Sequence, residues 1–403
     1  MTFSGHVPGS AEYRRLIVGL FFAGIATFAQ LYSPQSVLPQ IADDLQVGPA
    51  TAALAVSAAT LGLAAAVIPW SLVADRIGRV PAMAVGIITA TVLGIAAPLS
   101  GGITALLVLR FAEGLALGAV PAVALVYLNE EVARRHAAAA AGSYIAGTTV
   151  GGLSGRIVCG LTAEVADWRV GVAAAAGLCA LSAGLFLWLA PRARGFVPSR
   201  RHADPGPGVR ARLLEPLRSP RLLALYAQGF LLMGAFVAVY NYLGFRLAES
   251  PFGLPPWLVT LLFLAYLAGT FSSPLAGGLA SSTGRYPVLL GSIAVMCAGA
   301  LLMLAPLAGP VLAGLLLFTA GFFGAHAVAS GWTPAAASPT SRSQASSLYY
   351  FAYYAGSSLF GWVLGIVFGR ASWGSFILVI VAMCIAAAAA AASALRTEAS
   401  GKA

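Results

Sequence analysis

A chain of 403 residues with 59% apolar and only 9% charged side chains cannot cover itself for water, since soluble domains carry about 25% charged residues. Its formal charge of +10 rests on arginine, Lys402 being the one lysine. The basic residues sit in short gaps between long apolar runs, which is the topology pattern of a membrane protein. Nucleic acid is excluded as a partner on that ground, and a lipid bilayer is the expected solvent.

In chain order the apolar runs predict spans at 16–38, 50–72, 80–100, 103–127, 137–161, 168–190, 222–245, 256–279, 287–307, 310–333, 344–367 and 373–395. Each is close to the roughly 20 residues that cross about 30 Å of hydrocarbon. Backbone groups in lipid must be satisfied within the segment, so each span is expected to be a helix. The fold class is an all-α membrane protein of twelve transmembrane helices in two six-helix bundles, residues 1–190 and 222–403. A Pro-, Gly- and Arg-rich linker at 191–221 joins them. With the N-terminus inside, all basic residues but Arg110, Arg156, Arg169, Arg246 and Arg370 fall on the inner side. Both termini are therefore expected in the cytoplasm of a multi-pass cell-membrane protein. The N-terminal stretch Met1–Arg15 is polar and lacks a cleavable-signal pattern.

The halves repeat. A shift of 206 residues lays Ala74-Asp75-Arg76-Ile77-Gly78-Arg79 on Ala280-Ser281-Ser282-Thr283-Gly284-Arg285. The same register puts Gly118 on Gly324, Tyr144 on Tyr350, Ala146 on Ala352 and Gly155 on Gly361. Parallel repeats of this kind are one plan of membrane transporters. Cys159, Cys179, Cys297 and Cys384 lie inside apolar runs without metal spacing, so no metal is expected. No GxxxxGK[ST] loop and no hydrolytic constellation is present. Neither a cofactor nor an enzymatic activity is expected.

Asp75-Arg76-Ile77-Gly78-Arg79 resembles the signature loop of the major facilitator superfamily, with Ser71 where an opening Gly is usual. Arg110-Phe111-Ala112-Glu113-Gly114 with Gly118 is similar to the fourth-helix motif of its drug:proton antiporters. Gly147, Gly151, Gly152 and Gly155 resemble the fifth-helix antiporter motif as helix-packing positions, without that motif's proline. Leu31-Tyr32-Ser33-Pro34-Gln35 with Gly151 to Arg156 is similar to the acriflavine-sensitivity and arabinose-efflux-like branch. The resemblance covers the whole chain. It implies a twelve-helix monomer that moves a small-molecule substrate by alternating access, with protons as the coupling ion. Efflux of organic or drug-like compounds is the implied activity. The alternatives are a permease for a sugar or organic anion, uptake included, and a non-transporting membrane receptor.

The residues supply candidate roles. Asp75, Arg76, Gly78, Arg79 and Glu131 form a candidate inner gate, with Asp75 expected to meet the start of span 11 and Arg79 to pair with Glu130 or Glu131. At 1.5 Å per residue, Arg110 lies roughly 10 Å and Glu113 roughly 15 Å below the outer edge of span 4, and Arg156 roughly 8 Å below that of span 5. Charge at such depth faces a partner or a cavity. Three readings stand: Glu113 as proton-coupling site with Arg110 and Arg156, the surplus arginine as an anion receptor, or a fixed brace. Gln30 and Tyr32 of span 1 with Tyr240, Asn241, Tyr350 and Tyr354 are candidate substrate contacts, because aromatic faces suit flat or cationic ligands. Tyr349 and Tyr350, early in span 11, are equally readable as interfacial-belt residues, and His326 reads as a hydrogen-bonded packing residue rather than a proton carrier. Asp43 and Asp44 are expected to be solvated in the outer loop.

Overall fold

The computed structural model describes residues 5–191, 193–196, 214–339 and 341–396, which are helical almost throughout. Most of the expected linker lies outside the described residues. The first span runs from α1 (Ala11–Tyr32) through a 3-10 turn at Ser33–Val37 into α2 (Leu38–Asp44). Next come α3 (Pro49–Ile77) and α4 (Arg79–Ala96). The fourth span is split into α5 (Ile103–Leu117) and α6 (Ala119–Glu131). The half ends with α7 (Ala137–Val165) and α8 (Trp168–Leu189).

Beyond the linker stand α9 (Pro220–Ala248) and an eighth span made of α10 (Pro256–Leu261), a 3-10 turn and α11 (Leu267–Thr283). Then follow α12 (Arg285–Leu302), α13 (Ala308–Ala336), α14 (Arg342–Arg370) and α15 (Trp373–Ala394). The described residues thus form twelve long helical segments, one on each expected span. Eleven are long and apolar enough to cross a bilayer, and α7 has 29 residues.

Two of the breaks have a proline behind them. Pro121 lacks the N–H that would reach the Leu117 carbonyl, and α5 ends at Leu117. Pro34 opens the turn that follows α1. The loops joining α3 to α4 and α11 to α12 share an unusual backbone. Gly78 has φ 99° and ψ 159°, and Gly284 has φ 96° and ψ 154°. Only glycine adopts such a conformation cheaply, so the repeat seen in sequence extends to the dihedral angles.

The chain packs as two compact units. One contains Met1–Val47 with Ala58–Asp204, the other Gly48–Ser57 with Pro205–Ala403. In the first, a seam of small residues joins α7 to α1. A Cβ added to Gly147 would fall 2.2 Å from the Phe21 carbonyl oxygen, one on Gly151 2.6 Å from Ile25 Cα, and one on Gly155 2.5 Å from Ala29 Cα. Both sets repeat every four residues, so one face of each helix touches backbone to backbone. Gly152 sits off this seam: its added Cβ would meet only Arg156 of its own helix, because one residue turns the face by about 100°. The second unit repeats the device between α9 and α14, where a Cβ on Gly356 would lie 2.0 Å from the Phe230 carbonyl oxygen.

Gly155→Val should destabilise the detergent-purified protein by about 1–3 kcal/mol, the range for overpacking. Gly142→Ala, at a position with open space around it, should stay within about 0.5 kcal/mol. Thermal unfolding of both variants checks this; equal losses would contradict the seam.

Candidate functional site

The first unit carries its buried charge where α1 is bent. The carbonyl of Gln30 would normally accept from the amide four residues on, but that residue is Pro34, which has no N–H. Arg110 on α5 supplies the donor instead. One guanidinium nitrogen reaches Gln30 O at 3.1 Å, and the other reaches Leu31 O at 2.6 Å. The first nitrogen also donates to Glu113 Oε2 at 2.6 Å, one helical turn along α5. Arg110 is 1% exposed and Glu113 0%.

The other carboxylate oxygen, Oε1, lies near the Gln30 side-chain amide beside Gly94 of α4, without a hydrogen bond to it in this conformation. A methyl at Gly94 would lie 1.3 Å from Gln30 Nε2 and 3.1 Å from Glu113 Oε1. Gly94, which nothing in the sequence singled out, therefore keeps the niche open. A charged pair this deep is held by several hydrogen bonds at once, which is what offsets desolvation.

Arg156 on α7 makes its own set of contacts. It donates from Nε to Gln35 Oε1 at 2.7 Å and from a terminal nitrogen to Gly152 O at 2.5 Å. Its guanidinium lies over the Tyr32 ring, 4.5 Å from the centroid. The arginines thus grip the bend at different points: Arg110 takes the Gln30 and Leu31 carbonyls, Arg156 the Tyr32 ring and the Gln35 side chain on either side of Pro34. All three charged residues are sealed in packing in this conformation.

At the opposite end of the fourth span, Arg79 binds Glu130 through two nitrogens, at 2.8 and 3.1 Å, and also binds Asp75 on its own loop. Glu131 beside it is fully buried. Its Oε1 accepts the backbone N–H groups of Arg194 and Gly195, both at 2.7 Å. Arg76 is exposed. Asp44, at the end of α2, is exposed. It accepts from Trp168 Nε1 at 3.0 Å and pairs with Arg169, so it ties the end of α2 to the start of α8.

The second unit is aromatic. Tyr240 bonds through its hydroxyl to Thr319 at 2.7 Å and packs among Phe236, Phe263 and Tyr266. Asn241 and Tyr242 both donate to the Gly361 carbonyl, at 3.2 and 2.6 Å. Gly361 is the repeat partner of Gly155. Tyr354 is buried, whereas Tyr350 is 38% exposed. Tyr349, readable as a belt residue, is instead 1% exposed, and its hydroxyl lies 2.9 Å from His326 Nδ1. Phe322 stacks on the imidazole at 5.9 Å and Tyr353 approaches to 4.8 Å. Phe322, His326, Tyr349, Tyr353 and Gln228 surround a crevice within the unit that is too tight for a water molecule.

Comparison with known proteins follows the same outline. The family model described as Major Facilitator Superfamily matches residues 20–361. The inner membrane transport protein YnfM of Escherichia coli K12 is 38% identical over 385 residues, covering 94% of this chain and 90% of its own. The MFS-type transporter YybF of Bacillus subtilis is 33% identical, covering 94% and 92%. Among solved structures, a bacterial homologue of the human lysosomal transporter Spinster, inward-facing and occupied, superposes with a TM-score of 0.76. It shares 17% identity and covers 96% of this chain and 98% of its own. That likeness concerns the fold, while the family model and the two relatives carry kinship. This chain belongs to the major facilitator superfamily of secondary transporters.

Proposed function

We propose that the protein is a proton-coupled antiporter of the inner membrane, with both termini cytoplasmic, that expels small organic compounds. Its kinship with YnfM, an inner membrane transport protein, supports the location. The arginine distribution supports the orientation. The observation that carries the coupling is the Arg110–Glu113 pair beside the bend of α1. Glu113 is the one carboxylate well inside a span. Protonating it removes the ionic part of its bond to Arg110, while Arg110 keeps the carbonyls of Gln30 and Leu31. A proton at Glu113 then changes the grip on the Pro34 bend, and alternating access follows as a shift between two states that differ in that grip.

Substrate contact falls to Gln30 and Tyr32 at the bend and to the aromatic second unit, with Tyr350 its accessible ring. The arrangement suits an aromatic or amphipathic compound. A fixed brace is the second reading. It is favoured by the two carbonyl bonds of Arg110 and by the near-complete burial of all three charged residues.

Glu113→Gln in proteoliposomes should abolish transport driven by an imposed pH gradient while substrate binding stays measurable. Transport that keeps its dependence on the gradient would overturn the proton role. Arg110→Ala leaves a buried carboxylate without its partner and should cost about 3–5 kcal/mol of stability. Under coupling, Glu113→Gln keeps a near-native thermal midpoint. Under the brace reading it falls as far as Arg110→Ala does.

A further inference from the structure

A second ionic site lies at the far end of the fourth span and is independent of the coupling proposal. Glu131 closes α6 with its carboxylate buried, and one oxygen is occupied by the backbone donors of Arg194 and Gly195. The other oxygen faces His6 Nε2 at 3.7 Å. His6 is itself 8% exposed. It is held there by the backbone, its N–H reaching Glu131 O at 2.7 Å and its carbonyl accepting from Ala133 at 3.0 Å.

The contact surfaces leave no slack. A Cβ on Gly5 would fall 2.5 Å from Ala133 N, and one on Gly195 2.1 Å from the Glu130 carbonyl oxygen. Two separate segments, 5–7 near the N-terminus and 193–196 at the start of the linker, are thus pressed on one turn of chain and meet at one carboxylate. Tyr127 also faces the carboxylate, its hydroxyl donating to the Pro191 carbonyl at 2.8 Å, and several charged groups beside that turn bond one another. Glu130 is taken by Arg79, which also holds Asp75. Arg135 and His136 bond each other at the surface. Arg194 contributes its backbone N–H. Among the described residues, His6 is the basic side chain recorded within ion-pair distance of the Glu131 carboxylate.

We propose that His6 and Glu131 form a proton-operated strap that fastens the N-terminal segment and the start of the linker to the end of the fourth span. A buried carboxylate needs opposite charge as well as hydrogen bonds. Histidine is the side chain whose charge changes between pH 5 and 8. With His6 protonated, the imidazolium completes the shell of Glu131 and both segments stay down. With a neutral imidazole the counter-charge is absent and the two segments release together.

Backbone hydrogen exchange on the full chain in lipid nanodiscs, corrected for intrinsic rates, tests the strap. Protection of 5–8 and 193–196 should fall about tenfold or more between pH 5.5 and pH 8, as local opening becomes easier. His6→Gln should show low protection at both pH values, and His6→Lys, a permanent cation, high protection at both. Glu131→Gln should release both segments throughout. Glu113→Gln should respond to pH as the unaltered protein does. The strap is overturned by protection that ignores pH in the unaltered protein, by protection at pH 5.5 that survives His6→Gln, or by a response that disappears with Glu113→Gln.

Discussion

Contact between the backbones of α1 and α7 is the constraint from which the first unit follows. Hydrocarbon offers no water to polar groups, so a charged side chain inside a bundle must be met by partners already in reach. Gly147, Gly151 and Gly155 bring α7 against Phe21, Ile25 and Ala29. Arg156, one residue past the last of these glycines, is thereby set over Tyr32 and beside Gln35. The bend at Pro34 then releases the carbonyl that Arg110 takes. Three choices in sequence, a four-residue glycine repeat, one proline and two arginines, resolve into a single connected network.

The units are built on different chemistry. The first holds its interior with ion pairs and charge-assisted bonds around Arg110, Glu113 and Arg156. The second has Leu316 and Trp362 at the positions matching the two arginines, and it holds its interior with stacked rings and hydroxyl bonds. On the proposed coupling, the first unit would supply the group that changes charge and the second the surface that accepts a carbon skeleton.

The scaffold was legible because the bilayer imposes length and composition on every span, and because arginine marks the loops. The pairing of Arg79 with an acid at the end of the fourth span was also within reach, since loop and helix end are neighbours in any arrangement of these helices. Contacts set by rotation were not. Gly152 and Gly151 differ by one residue and about 100° of turn, and only one lies on the seam. Tyr349 and Tyr350 differ in the same way, and the buried partner of His326 is the one that sequence could not choose. Gln35 and Arg156 are 121 residues apart, and depth alone does not say which side chain an arginine will find. Gly94 gave no signal because its role is to be absent.

The matching glycines at 78 and 284 carry a further consequence. Around Gly78 the loop is locked by acids and arginine. Around Gly284, Ser281, Ser282 and Thr283 turn their hydroxyls onto carbonyls of their own helix. The two corners thus share one main-chain path and fasten it by different means, salt bridges at the first and local hydroxyl bonds at the second. A path that only glycine follows cheaply outlasts an exchange of the side chains around it, so the repeat is written more fully in the course of the backbone than in its chemistry.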